Sequence, residues 1–255
     1  MSKSSKKSAL IGGVYGGIGR ALARRLLYQD WRVAGFGRDP DKLEEVKGEL
    51  DGLAVHQADA TDPDEMKSVF KKAAEESGGV DAYIHCVGSV FLKAAHLTSP
   101  DEWREVMAKN LDSAFYALRA GIPLMRGEDG GVFLFCSSVA AGTGLANHEA
   151  VAAAKGGLEG LVRSAAATYA PRRIRVNAIS MGLVETGAAK AILANEQARA
   201  VSEQMHPLGR IGKPEEAASL LSWLASDDAS WVTGHVYGLD GGMGAVATRP
   251  KITRA

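Results

Sequence analysis

The chain has 255 residues and carries 30 basic and 30 acidic side chains, so it lacks the excess of positive charge that a nucleic-acid-binding surface requires. Its 46% hydrophobic residues are typical of a globular protein with a hydrophobic core and exclude a disordered chain. Two cysteines, 50 residues apart, exclude a disulfide framework, disfavour a metal site, and predict a reducing, cytoplasmic environment.

The ends of the chain show no targeting signal, and no window reaches the roughly 18 apolar residues that a membrane span needs. We therefore expect no membrane partner. Residues 1–8 are polar and residues 245–255 are basic and without pattern, so both are predicted to be flexible ends. Glycine is the unusual component: 30 of 255 residues exceeds the usual share of roughly 7% and predicts sharp turns or close backbone approaches.

Short apolar segments alternate along the chain with stretches of helical periodicity. The segments are residues 9–11, 31–36, 53–57, 80–87, 132–136, 174–179 and 235–239. Helices are predicted over residues 17–28 and, with Asp62 as N-cap before Pro63, over residues 63 to about 77. Continuous apolar strands joined by helices predict an α/β fold, a Rossmann-type doubly wound parallel sheet of about seven strands with helices on both faces. No linker or repeat interrupts this pattern, so we expect a single domain over residues 1–255.

A glycine-rich turn, GGVYGGIG at residues 12–19, joins the first strand to the first helix. Glycines at this place let backbone N–H groups and the positive end of the helix approach a pyrophosphate. A purely structural tight turn is the alternative, but the strand–turn–helix context favours a dinucleotide site. The residues expected to contact the cofactor are Gly13, Tyr15, which we place over the phosphate loop, Gly17, Ile18 and Gly19.

The end of the second strand predicts which dinucleotide is bound. Gly37 stands where an acidic residue would hold the ribose of NAD(H), and Arg38 follows it, suited to a 2′-phosphate. The alternatives are that Arg38 is a solvated loop charge and that Asp39 faces the ribose. The sequence therefore favours NADP(H) as cofactor and leaves NAD(H) open.

From Gly13-x3-Gly17-x-Gly19 onward the chain resembles the short-chain dehydrogenase/reductase family, whose loop reads TGxxxGxG, and the resemblance covers nearly the whole chain. Residues 175–186, 207–216, 232–234 and 240–242 are similar to further landmarks of that family. The single residues that match its motifs are Asp59, Gly88, Asn110, Ser138 and Lys155.

The resemblance implies a role for each of these positions. Asp59 and Ala60 would contact the adenine, and Lys155 would hold the nicotinamide ribose. Ser138 would bind a substrate oxygen, unless it is only a strand-end hydroxyl that satisfies the backbone. Asn110 would hold a catalytic water, unless it is structural in a helix bulge. The residues expected beside the nicotinamide are Gly88, Gly182, Val184 and Thr186. The family also implies a homodimer or homotetramer.

One position departs from the family pattern. Catalysis in this family depends on Tyr-x3-Lys, but Val151 stands four residues before Lys155 and has no proton to give. His148, seven residues before Lys155, would lie on the same helix face at about 100° per residue. Tyr-x6-Lys is the spacing of the enoyl-ACP reductase branch, which the segment resembles. We predict that His148 either donates the proton or only closes the start of the helix. His85 is expected to be a spacer, a residue that only packs near the adenosine.

Together these patterns predict an NADP(H)-dependent oxidoreductase that transfers a hydride to a small carbonyl or activated C=C substrate. The alternative is a non-catalytic NADP-binding sensor or assembly subunit on a reductase scaffold, for which Val151 is the main argument. A hydrolase based on Ser138 and His148 is disfavoured, since no Gly-x-Ser-x-Gly turn surrounds the serine.

Overall fold

Seven parallel strands form the central sheet in the computed structural model, which describes residues 6–125 and 130–247. Its spatial order is β3-β2-β1-β4-β5-β6-β7, and each neighbouring pair is parallel and in regular register. The doubly wound sheet predicted from the sequence is thereby confirmed. The strands are β1 Ser8–Gly12, β2 Arg32–Gly37, β3 Leu53–Gln57, β4 Ala82–His85, β5 Gly131–Ser138, β6 Ile174–Met181 and β7 Val236–Leu239.

Helices connect the strands, and several begin directly after an N-cap residue whose side chain accepts hydrogen bonds from first-turn amides. Asp62 accepts hydrogen bonds from the amides of Asp64 (2.8 Å) and Glu65 (3.0 Å), and so starts the third helix as predicted. The α-helices of the described ranges are α1 Gly17–Tyr28, α2 Pro40–Glu49, α3 Pro63–Ser77, α4 Pro100–Met107, α5 Ser113–Gly121, α6 Glu149–Tyr169, α7 Lys190–Leu193, α8 Glu196–Met205 and α9 Pro214–Ala225. A π-helical turn, Ala108–Asp112, links α4 to α5.

Two hydrophobic cores hold the helices against opposite faces of the sheet. Leu22 of α1, Val46 of α2 and Leu221 of α9 pack on one face. Phe70 of α3 and Leu158 of α6 pack on the other. Because β1 pairs with β2 on one side and with β4 on the other, the strand order reverses beside β1. A crevice at the carboxyl ends of the strands is expected at such a reversal, and it is where open α/β sheets bind ligands.

The chain ends differ in part from the prediction of flexible residues 1–8 and 245–255. Ser8 is buried at the start of β1: its amide donates to Asp81 Oδ2 (2.7 Å) and its hydroxyl to the Gly79 carbonyl (2.7 Å). The strand therefore begins earlier than its apolar residues indicate. Residues 1–5 and 248–255 lie outside the described part of the chain. Among the described helices, none is long and apolar enough to cross a membrane.

Candidate active site

A cavity of about 770 Å³ opens at the carboxyl ends of the strands, where the sheet order reverses. It extends from the glycine-rich turn and the end of β2 to the ends of β5 and β6 and the helices after β6. Every candidate residue from the sequence lines this one cavity: Gly13, Tyr15, Gly17, Ile18, Gly19, Arg38, Asp59, Ala60, Gly88, Asn110, Ser138, His148, Lys155, Gly182, Val184 and Thr186.

The glycine-rich turn has the shape of a phosphate cradle. Gly13 adopts φ +75°, and a Cβ on Gly19 would lie 2.4 Å from the Gly13 carbonyl oxygen, so a side chain at Gly19 would break the turn. Helix α1 has Gly16 as its N-cap residue, which offers no side chain to the first-turn amides. Those amides are therefore available to a diphosphate, and the turn fits a dinucleotide.

Beside the glycine-rich turn, at the end of β2, the cavity is basic. Arg38 lies with 59% of its side chain exposed, and Lys42, from the first turn of α2, also lines the cavity. Asp39 is turned away from it: its carboxylate caps α2 by accepting from the amides of Asp41 and Lys42, and it pairs with Lys42 Nζ at 2.9 Å. This hydrogen bond with Lys42 lowers the pKa of Asp39. The arrangement speaks against a ribose-binding role for Asp39.

Tyr15 was expected over the phosphate loop but lies beside the end of β2. A Cβ on Gly37 would be 2.3 Å from a carbon of the Tyr15 ring, and Lys42 Nζ is 5.8 Å from the ring centre. Asp59 accepts from the amide (2.8 Å) and hydroxyl (2.7 Å) of Thr61 and lies 3.6 Å from Arg38. Tyr15, Arg38, Lys42 and Asp59 thus form the walls of one polar end.

At the other end, Lys155 is buried in α6, and its Nζ donates to the Cys136 carbonyl at 2.8 Å. Burial lowers the pKa of Lys155 to about 8. An ammonium has three donors, so two remain for a ligand in the cavity. Ser138 Oγ accepts from the amide of Ala140 at 3.2 Å, the backbone contact considered as the alternative to a substrate role. The Ser138 hydroxyl hydrogen is still free to be donated into the cavity.

Asn110 lies fully buried in the π-helical turn. Its Nδ2 donates to Ser89 Oγ and to the Val106 carbonyl, both at 3.0 Å, and its Oδ1 accepts from the Ser89 amide at 3.1 Å. A Cβ on Gly88 would lie 3.0 Å from Asn110 Oδ1 and 3.3 Å from Lys155 Nζ. The Asn110 side chain therefore ties the loop after β4 to the bulge, beside Lys155, in the way that the structural alternative predicts.

Val151 contributes an apolar wall where the resemblance would place a proton donor. It is 6% exposed and packs with Val106, Ala150 and Ala154. His148 is the N-cap residue of α6, which begins at Glu149, so it lies at the start of the helix that carries Lys155, and its side chain makes no capping hydrogen bond. Asn147 adopts a left-handed φ of +62°, which turns the chain before the helix.

His148 still lines the cavity, and the structure fixes its tautomer. Its Nδ1 lies 2.8 Å from the Ala146 carbonyl, which only accepts hydrogen bonds, so Nδ1 carries a proton. The neutral ring therefore has an unprotonated Nε2, and only the imidazolium form donates from that atom.

His85 was expected near the adenosine, but it does not line the cavity. It is fully buried, with Nδ1 2.7 Å from the Tyr83 hydroxyl and Nε2 3.0 Å from Ser113 Oγ. Burial lowers the pKa of His85 to about 3, so the ring is neutral and structural. His85 is therefore a packing residue, as expected of a spacer, but it packs against Tyr83 and Ser113 and not beside the cavity.

The cavity residues that the sequence analysis did not predict include Lys42 and His206. His206 is buried at the end of α8; its Nδ1 donates to the Ser202 carbonyl (2.6 Å) and its Nε2 accepts from the Leu183 amide (3.1 Å). A Cβ on Gly182 would lie 2.4 Å from His206 Nε2, so this approach requires glycine there. His206 thereby joins α8 to the segment after β6. Lys42 could have been found from the sequence, because it lies only four residues beyond Arg38.

Comparison with known proteins agrees with this geometry. A family model described as enoyl-(acyl carrier protein) reductase matches residues 13–244. A cyclohexanol dehydrogenase of Acinetobacter sp. (strain SE19) is 32% identical over 94% of this chain and 96% of its own length. A "Probable 2,4-dienoyl-CoA reductase" of Bacillus subtilis is 32% identical, over 93% of this chain and 96% of its own length.

Solved structures show the same architecture. A short-chain type dehydrogenase/reductase from Mycobacterium ulcerans superposes with a TM-score of 0.88 at 28% identity, covering 93% of this chain and 90% of that one. Sequence relatives, structural neighbour and the arrangement of the cavity all lead to one assignment, and they confirm the resemblance seen in the motifs. The chain belongs to the short-chain dehydrogenase/reductase family of oxidoreductases.

Proposed function

We propose that this protein is an NADP(H)-dependent reductase that transfers a hydride to a small carbonyl compound or an activated C=C bond. The observation that carries the proposal is the single cavity that joins a glycine phosphate cradle and the basic pair Arg38 and Lys42 to Ser138 and Lys155. Members of the family use nicotinamide dinucleotides, and NADP(H) is the form that the basic end of this cavity favours.

The chain's own residues would divide the binding work along the cavity. The first-turn amides of α1 would hold the diphosphate, and Arg38 with Lys42 would hold a 2′-phosphate by charge-assisted hydrogen bonds. Lys155 would use its two remaining donors for the nicotinamide ribose. When bound, NADPH supplies the hydride. His206 would keep the segment containing Gly182 and Val184 in place beside the nicotinamide.

Ser138 would donate its free hydroxyl hydrogen to the substrate oxygen. That bond strengthens as negative charge develops on the oxygen, whether the product is an alkoxide or an enolate. His148, as imidazolium, would give its Nε2 proton while Nδ1 keeps its bond to Ala146. Asn110 would act by positioning the loop after β4, and a water relay past it is the second proton route.

Reduction of an activated C=C bond requires less of this site than reduction of a carbonyl. The enolate formed from an enone or enoyl thioester takes its proton at carbon, from solvent or from His148, and does not require a tyrosine at position 151. The names of two relatives cover both classes, one a cyclohexanol dehydrogenase and one a dienoyl-CoA reductase. Ala188, Ala189, Ile192 and Met205 line the cavity beside the site and would favour an apolar substrate body.

We also propose a homodimer or homotetramer of one-domain chains acting in the cytoplasm. Trp103 on α4 is 41% exposed and Phe115 on α5 is 50% exposed, so these adjacent elements offer an apolar contact surface. Sedimentation velocity tests the assembly, and a monomer at micromolar concentration would contradict it. Cell fractionation tests the compartment, and recovery with the membrane pellet would contradict it.

The test of the function combines binding with turnover. NADPH and NADH binding would be measured by fluorescence, and cofactor oxidation would be followed with ketones, enones and enoyl thioesters. Lys155→Met keeps the aliphatic length but removes the ammonium, and is expected to lose most activity, whereas Lys190→Met, on α7, is the matched control. Tight NADPH binding without turnover on any substrate would support the sensor alternative, which Val151 favours.

A further inference from the structure

Two thiols beside the candidate site have no part in the proposed reaction. Cys86 and Cys136 are the only cysteines of the chain, and their sulfur atoms lie 3.9 Å apart. Cys136 belongs to β5, and Cys86 directly follows β4, one residue beyond the paired His85 and Phe135. Both side chains pack on the same face of the sheet, so the two sulfur atoms face each other across neighbouring strands.

The backbone geometry suits a disulfide. Neighbouring strands lie about 4.8 Å apart, within the roughly 4.4–6.8 Å range of Cα separations that disulfides span. Closing the bond requires the sulfur atoms to move from 3.9 Å to about 2.05 Å, a change that small side-chain rotations and slight strand movement supply. Both cysteines are free thiols in this structure.

The thiols are reached from the cavity. Cys86 is half-buried, Cys136 is 6% exposed, and both residues line the cavity next to Lys155. The hydrogen bond between the two thiols lowers the pKa of Cys136 against the effect of burial, and the nearby Lys155 ammonium lowers it further. Since the thiolate is the reactive form, Cys136 is suited to react first and Cys86 to resolve the product.

We propose that Cys86 and Cys136 form a reversible oxidation site for small peroxides, open in the cofactor-free protein and covered when NADP(H) is bound. The Cys136 thiolate attacks one peroxide oxygen, the O–O bond breaks, and a sulfenic acid and hydroxide form. The Cys86 sulfur then attacks the sulfenic sulfur, loses its proton, and displaces water as the S–S bond closes. The pair gives up two electrons, and hydrogen peroxide is reduced to two waters.

The experiment begins with the reduced, cofactor-free protein treated with hydrogen peroxide and then quenched with a thiol-alkylating reagent. We expect an intact mass lower by about 2 Da, no alkylation, migration as a monomer on a non-reducing gel, and full recovery of both thiols with dithiothreitol. Cys86→Ser should instead carry a dimedone-reactive sulfenic acid at Cys136. Two separately oxidised cysteines, disulfide-linked dimers or unreacted thiols would each overturn the proposal.

That bound NADP(H) covers Cys86 and Cys136 rests on the proposed function, and it is tested separately. NADP⁺, which the oxidant does not consume, is added at about ten times its measured Kd, so that about one site in eleven stays open. We expect the oxidation rate to fall about tenfold. An unchanged rate with NADP⁺ demonstrably bound would refute the covering. Failure of NADP⁺ to bind would refute the proposed function, whereas disulfide formation in the cofactor-free protein would still establish the oxidation site.

Discussion

The choice of cofactor depends on Arg38 and Lys42, and replacing them gives the sharpest prediction about binding. Both side chains are more than half exposed, at 59% and 58%, and each has an acidic neighbour, Asp59 at 3.6 Å and Asp39 at 2.9 Å. Hydrogen bonds to a charged group contribute about 1.5–3 kcal/mol. Because both side chains are exposed and each has an acidic neighbour, we expect their bonds to the 2′-phosphate to lie at the lower limit of this range. Each bond then contributes about tenfold to the affinity for NADPH.

Arg38→Gln and Lys42→Gln are therefore expected to lower kcat/KM for NADPH about tenfold each. The double variant should lose more than either single variant, but its effect need not be the product of the two, because both side chains contact one phosphate. The value for NADH should change less than twofold, since that cofactor has no 2′-phosphate. Steady-state kinetics with both cofactors measures the effect. Arg25→Gln, at the exposed end of α1, is the control and should change neither value.

Asp39→Ser provides an independent check. Serine keeps an N-cap oxygen for α2 but removes the carboxylate that pairs with Lys42, so affinity for NADPH should rise severalfold. If Asp39 instead held the ribose of NADH, the variant would lose NADH activity. Equal losses for both cofactors in the Arg38 and Lys42 variants would refute the reasoning, because they would show a structural role for these residues.

Four further predictions concern the catalytic end. Val151→Tyr should raise the rate of ketone reduction by about 10²-fold or more, because it restores a proton donor; an unchanged rate would refute this. The larger side chain should lower the free energy of unfolding by about 1–3 kcal/mol, measured by thermal unfolding. His148→Gln should lower kcat for ketones about 10²-fold without changing NADPH affinity, because glutamine cannot transfer a proton; an unchanged kcat would exclude His148 as the donor. The affinity for NADPH should weaken as pH rises through about 8, where Lys155 loses its charge, whereas the affinity of Lys155→Met should not change over this range. Binding titrations across this pH range test this, and the same pH dependence in both proteins would contradict it. His206→Phe should raise KM for NADPH about tenfold with the fold intact by circular dichroism, and His206→Gln should restore most of it.

The parts of the site that depend on local sequence were predictable. The glycine turn between β1 and α1 follows from residue spacing, because each glycine is needed within a few residues of the others. The strands follow from apolar runs that are buried on both faces. The helix beginning at Pro63 follows from the adjacent Asp62. In each case the physical constraint and the residues that satisfy it lie within one short segment.

The parts that depend on distant contacts were not predictable. His85 has hydrogen bonds to Tyr83 and Ser113, and the second partner lies 28 residues away on another element. His206 meets the Leu183 amide only after α8 folds back against the segment that follows β6. The turn before α6 depends on the left-handed conformation of Asn147, which the spacing to Lys155 does not reveal.

The central claim is hydride transfer from NADPH to a substrate held by Ser138 and Lys155, and isotopic labelling tests it most directly. The enzyme would be incubated with NADPH carrying deuterium at the reactive nicotinamide carbon, and with an enone in one reaction and a ketone in the other. We predict that nuclear magnetic resonance finds deuterium at the β-carbon of the saturated product or at the carbinol carbon, and that Lys155→Met removes the signal. Products free of deuterium, or deuterium incorporation that is unchanged in Lys155→Met, would contradict the account.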